Sequence, residues 1–157
     1  MSFPRVNIAS PEFEYDPEDP EGFRSGMDRV GKRVGAERLG ASVYEVPPGQ
    51  SICPYHWEAS EEEWLIVLEG RPTVRGPKGS EQLDPWDVVC FPRGPEGAHR
   101  VQNDTDETVR VLMFSEHKVP AASVYPDSEK VGVFTADRSK NLMVRGRGDA
   151  DYYEGEA

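Results

Sequence analysis

The stretch CPYHWEASEEEWLIVLEG, residues 53–70, carries a histidine, a carboxylate two positions on, three consecutive glutamates and a run of strand-forming residues closed by a glycine. Successive side chains on a strand point to opposite faces, so His56 and Glu58 project from one face while Tyr55 and Trp57 project from the other. In the run that follows, Glu63, Leu65 and Val67 share a face. A short turn through ASEE predicts that Glu63 returns beside Glu58, so that three potential metal ligands converge from a single hairpin. Glu61 and Glu62 then belong to the turn. A register one residue different would present Glu62 in place of Glu63.

Outward from this stretch the texture is that of short strands and tight turns. RLGASVYEV (38–46) and SICPYHWE (51–58) precede EWLIVLEG, and RPTVRG, EQL, DVVCFP, AHRVQN and TVRVLMFSE follow it. Turn-forming segments such as PKG, DPW, RGPEG and DTDE separate them. About eight strands between residues 38 and 116 point to an all-β sandwich, jelly roll or barrel. ASVYPDSEKVGVFT (122–135) adds one or two more. With 157 residues the chain fits one domain, which we divide into an extended arm (1–37) with little regular structure, a body (38–136) and a polar tail (137–157) whose last dozen residues are expected to be mobile.

His99, in AHRVQN, shares its strand face with Val101 and Asn103 and supplies a second imidazole, which a barrel would place opposite the hairpin. Two imidazoles and two carboxylates, His56, Glu58, Glu63 and His99, make a nitrogen and oxygen donor set suited to divalent Zn, Mn, Fe or Ni. The remaining motifs read as structural. Trp57, Trp64 and Trp86 are expected to pack, Tyr55 to line a pocket mouth, and Asp127 to cap a turn. RGPEG lacks the following helix of a phosphate loop.

These positions also fit a known pattern. The segment from Gly49 to Gly70 resembles the first motif of the cupin superfamily, in which a glutamate, here Glu63, is followed by a glycine seven residues later, here Gly70. WDVVCFPRGPEGAHRVQN resembles the second motif through Pro92, Gly94, His99 and Asn103. More narrowly, the chain looks like small single-domain bacterial cupins without an assigned activity. The resemblance implies a cupin-type jelly-roll β-barrel, the double-stranded β-helix, with a divalent metal held by His56, Glu58, Glu63 and His99. Glu58 stands where the general pattern has its second histidine, Trp86 where it has a glycine, and the segment between Gly94 and His99 is two residues longer.

A net charge of −11 with scattered lysines and arginines argues against nucleic-acid binding. The longest apolar run, from Trp64 to Leu68, is too short to cross a bilayer, and the amino terminus does not read as a secretory signal. A cytoplasmic protein without membrane association is expected, with Cys53 and Cys90 as reduced, buried thiols. Three functions fit this reading: a metal-dependent enzyme acting on a small polar metabolite, a non-catalytic small-molecule binding or sensor protein, and a structural scaffold with no ion. A homodimer is expected, because cupins commonly pair through their sheets and the arm offers a strand to cover or exchange an edge.

Overall fold

Alternation along two strands sets the layers. In β4 (Glu63–Glu69) the side chains of Leu65 and Val67 are fully buried, and in β9 (Val109–Glu116) Val109, Val111 and Met113 take the same inward role. These strands pair antiparallel, so their inward residues meet on one face with Val46, Leu83, Phe91 and Val101 to form the core. Burying each such side chain contributes roughly 1.5–3 kcal/mol. Glu63 lies on this inward face, at the end where the apolar lining stops.

The computed structural model describes residues 2–146, 151 and 153–156. Besides β4 and β9, the strands are β1 (Gly26–Asp28), β2 (Leu39–Val46), β3 (Trp57–Glu58), β5 (Thr73–Gly76), β6 (Gly79–Gln82), β7 (Val88–Phe91), β8 (Arg100–Gln102), β10 (Ala121–Tyr125), β11 (Lys130–Phe134) and β12 (Leu142–Arg145). They form three antiparallel sheets, ordered β1-β2-β9-β4-β7, β12-β11-β10-β3 and β6-β5-β8. The nearly all-β, antiparallel architecture is that of a jelly roll. Among the described residues, helical structure is confined to one α-helical turn, α1 (Val30–Arg33), and short 3-10 turns.

Several expectations are corrected. Segment 51–58 is not one strand: Ser51 bridges Gln102, His56 bridges His99, and Pro54, which lacks an N–H, sits in the break. Nor do β3 and β4 form a hairpin, since β3 pairs with β10 and β4 with β7 and β9, so the ASEE segment crosses between sheets. Within the arm the regular structure is limited to β1, which extends the sheet beyond β2, and α1, which follows it. Asp28, buried at the end of β1, accepts hydrogen bonds from Arg33 and from the Glu12 amide, at 2.5 and 2.8 Å. The arm therefore covers the β2 edge of its own chain. Cys90 is exposed and Cys53 half-buried, and both are free thiols. Trp86 is exposed, in a left-handed turn conformation (φ 75°), while Tyr55 is buried beneath the Arg75 guanidinium. Asp127 has a structural role, pairing with both terminal nitrogens of that arginine at 2.5 and 2.9 Å.

Beyond residue 136 the chain forms a 3-10 turn and then β12, which pairs with β11. Of the last dozen residues, expected to be mobile, 147–150, 152 and 157 lie outside the described residues.

Candidate metal centre

His56 and His99 are direct cross-strand neighbours rather than facing each other across the fold. Each backbone amide donates to the other's carbonyl, at 3.1 and 2.8 Å, which sets the ring centroids 4.8 Å apart. The expectation that His99 lies opposite His56 is corrected accordingly. His99, Val101 and Asn103 do share one inward face, and all three are fully buried. Glu63 pairs in register with Phe91 of β7, and the Phe91 ring stacks on the His99 imidazole with centroids 3.7 Å apart.

One donor atom each from His56, Glu63 and His99 lie within 4.8 Å of one another. The tautomers follow from the backbone. His99 Nδ1 lies 2.9 Å from the Gly97 carbonyl and His56 Nδ1 3.0 Å from the Pro54 carbonyl. A carbonyl only accepts, so both Nδ1 atoms carry hydrogens and both Nε2 atoms point into the cluster, a common outer arrangement around histidine ligands. Glu63 Oε2 and His99 Nε2 lie 3.4 Å apart, and Glu63 Oε2 lies 3.7 Å from His56 Nε2, but neither of the first two atoms makes a hydrogen bond, and a buried polar atom left without one costs roughly 1–3 kcal/mol. A divalent cation would satisfy both atoms, so the donor chemistry fits the ion that the sequence leads one to expect.

Glu58 falls outside this mutually close group. Its Oε1 lies 3.4 Å from His56 Nε2 and accepts a hydrogen bond from the Ser123 hydroxyl at 2.6 Å. Ser123 is its register partner on β10. Glu62 turns away and accepts from the Trp64 indole at 2.7 Å, while Glu61 accepts from the Lys118 amide at 2.8 Å. The register thus turns Glu63 inward and leaves Glu62 outside.

Burial disfavours the charged form of His56, but its contacts with Cys53, Glu58 and Glu63 outweigh this and raise its pKa. Burial also dominates at His99, holding its pKa below the usual imidazole value despite the attraction of Glu63. At Glu63 burial works to raise the pKa, and the two imidazoles reverse it, leaving a lowered value. The result is an ionised carboxylate between one cationic and one neutral ring. On one side of His56 and Glu63 is a cavity of about 250 Å3 lined in part by Tyr44, Cys53 and Met113. Burial, with Cys53 and Glu63 adding to it, pushes the Tyr44 phenol up to about 12, so it stays a neutral hydroxyl.

Phe91, Ser123 and Tyr125, whose ring stacks on His56 with centroids 5.8 Å apart, were not singled out in the sequence. The one signal for the last two is spacing: they lie two apart in ASVY, hence on one face of a strand.

An antiparallel jelly roll with a histidine and carboxylate cluster buried at one end of its core defines a class of protein. Within it, a family model described as the cupin domain matches residues 42–115. Residues 42–115 therefore match a small cupin domain. Solved structures agree. A protein from Acidithiobacillus ferrooxidans, provisionally described as a sugar phosphate isomerase, superposes with a TM-score of 0.81 at 23% identity, covering 95% of this chain and 96% of its own. A cupin from Silicibacter pomeroyi, described as a sugar phosphate isomerase, gives 0.81 at 20% identity, with 96% and 98% coverage. A polyketide cyclase from Streptomyces resistomycificus gives 0.61 at 24% identity over 74% of this chain and 82% of its own. At these identities the likeness is one of fold. No curated protein sequence matches the chain.

Proposed function

We propose that the protein binds a divalent ion (Zn, Mn, Fe or Ni) through His56, Glu63 and His99, with Glu58 as the fourth ligand, and presents it to a small polar metabolite. The observation that carries this reading is the buried pair Glu63 Oε2 and His99 Nε2, facing each other at 3.4 Å with no hydrogen bond, beside imidazoles whose Nδ1 hydrogens are already committed to backbone carbonyls. When bound, the ion supplies Lewis acidity toward a carbonyl or hydroxyl oxygen. The chain's own residues do the rest. Phe91 and Tyr125 hold the two imidazole planes, Ser123 orients Glu58, and the neutral Tyr44 hydroxyl offers a donor on the cavity side.

The first activity to examine is isomerisation of a hydroxy-carbonyl compound, a reaction such an ion suits and the one named for the two structures that cover nearly the whole chain. Apo protein and protein loaded with each metal are assayed against aldoses, ketoses and their phosphates. Metal-dependent interconversion supports the enzyme reading. A compound that raises the melting temperature of metal-loaded protein and is recovered unchanged supports the alternative, a non-catalytic binding or sensor protein, for which Glu58 fixed to Ser123 is a favourable feature. We further propose a cytoplasmic homodimer. Among the described residues no helix is long and apolar enough to cross a membrane.

A further inference from the structure

On the side of the centre that Glu58 faces there is an open surface cleft of about 520 Å3, at whose rim His117 and Arg138 are exposed. Its inner end is formed by Glu58, Ser123 and Tyr125, each tied to the cluster: Ser123 donates to Glu58, and Tyr125 stacks on His56. His117, Lys118 and Arg138 also line it, an accumulation of basic groups that stands out in a chain of net charge −11.

The basic groups here are not equivalent. Lys118 is committed, donating to the Ser60 carbonyl at 3.0 Å and pairing with Glu116 at 2.7 Å. Lys140, close by in sequence, pairs with Asp137 at 3.4 Å. Arg138 has no side-chain hydrogen bond or ion pair among the described residues, in contrast to Arg75 and Arg110. Its backbone is nevertheless fixed. Asp137 accepts from the Ser139 amide and hydroxyl at 3.1 and 2.7 Å, and Asn141 accepts from the Thr135 amide at 2.8 Å. A guanidinium carried on a pinned turn, with no side-chain partner among the described residues, lines the same cavity as Glu58.

A guanidinium offers a planar fork of donors that matches the oxygens of phosphate or carboxylate. Glu58 and Glu61 line the same cavity and weaken its attraction for a single negative charge. The attraction for an anion therefore rests on directional, bidentate hydrogen bonds from the Arg138 fork rather than on net charge, with His117 lining the same cavity. We propose that this cavity is an anion subsite in which Arg138, assisted by His117, takes the phosphate of a small phosphorylated polyhydroxy metabolite, whose other oxygens lie toward Glu58. The proposal deepens the reading of the metal centre and rests on it for the inner end of the ligand only.

Two titrations by calorimetry test it. In the first, inorganic phosphate is added to the 157-residue chain stripped of metal. Saturable binding is expected, about tenfold weaker in Arg138→Ala, partly restored in Arg138→Lys and unchanged in Lys78→Ala, an exposed residue away from the cavity. In the second, manganese-loaded protein is titrated with glucose 6-phosphate and with glucose. The phosphorylated sugar is expected to bind about tenfold more tightly, and Arg138→Ala to erase the difference. Phosphate binding that is absent in the wild type, or equal in wild type and Arg138→Ala, overturns the proposal. The first titration uses no metal, so a failure of the centre to hold an ion leaves its result standing.

Discussion

Asn103 shows what one buried amide can hold together. Its Nδ2 donates to the Val46 and Glu107 carbonyls at 2.8 and 2.7 Å, and its Oδ1 accepts from the Thr105 amide and hydroxyl at 2.9 and 2.7 Å. Asn103→Ala strands the buried Val46 carbonyl, and a loss of about 1–3 kcal/mol is expected in urea unfolding at neutral pH. Gly97 plays a comparable part for His99. A Cβ at this position would overlap the Pro92 carbonyl, a backbone group that cannot rotate away, while the Gly97 carbonyl itself fixes the His99 tautomer. Gly97→Ala is therefore expected to cost roughly 1–3 kcal/mol and to weaken metal binding as well, whereas Gly94→Ala, in open space but with φ 86°, strains only its own backbone. The inward set of His99, Val101 and Asn103 was legible in the sequence because strand alternation is a strict rule. Phe91, Ser123 and Tyr125 were not, because what brings them to the histidines is pairing between distant strands, which alternation along one strand does not encode.

At the scale of elements, the outer face of the five-stranded sheet is tied together by charge. Arg110 of β9 donates from Nε and Nη2 to Glu45 of β2, at 2.8 and 2.6 Å, and from Nη1 to Glu69 of β4 at 3.2 Å. Tyr15 of the arm donates to the same Glu45 carboxylate at 2.7 Å. Burial acts to raise the Glu45 pKa, but the bonds from Tyr15 and Arg110 outweigh it and leave the value below its ordinary 4.5. A carboxyl with a depressed folded-state pKa contributes stability that is present above its unfolded value and lost as pH falls through the folded one. Glu45→Gln is thus expected to lower stability by about 0.5–1 kcal/mol at pH 7, the modest figure reflecting the partly exposed partner, with the difference vanishing in strong acid. Urea midpoints of the two proteins at several pH values measure this, and a difference that persists unchanged below the Glu45 pKa contradicts it. The same scale explains why the strand list was readable and the hairpin was not. Residues 51–58 alternate like a strand, but Pro54 breaks the ladder, and the chain beyond β3 enters a different sheet.

At the scale of the whole molecule, the edges decide how copies meet. The arm covers β2 through β1, while β7 and β12 each lie at one edge of their sheets, with Val88, Leu142, Met143 and Val144 exposed. Exposed apolar edges favour association, and the proposed homodimer predicts a sedimentation mass twice that of the 17.6 kDa chain at micromolar concentration. A monomer there contradicts it. Function turns on the metal centre, and elemental analysis after equilibration with Mn, Zn, Fe or Ni and exhaustive dialysis measures its occupancy. About one ion per chain is expected in the wild type, about a tenth or less of that in Glu63→Gln and His99→Ala, reduced retention in Glu58→Ala, and full retention in Glu62→Gln. A wild-type chain that retains none of the four metals, or a Glu63→Gln variant that retains as much as the wild type, rules out a metal centre at these residues.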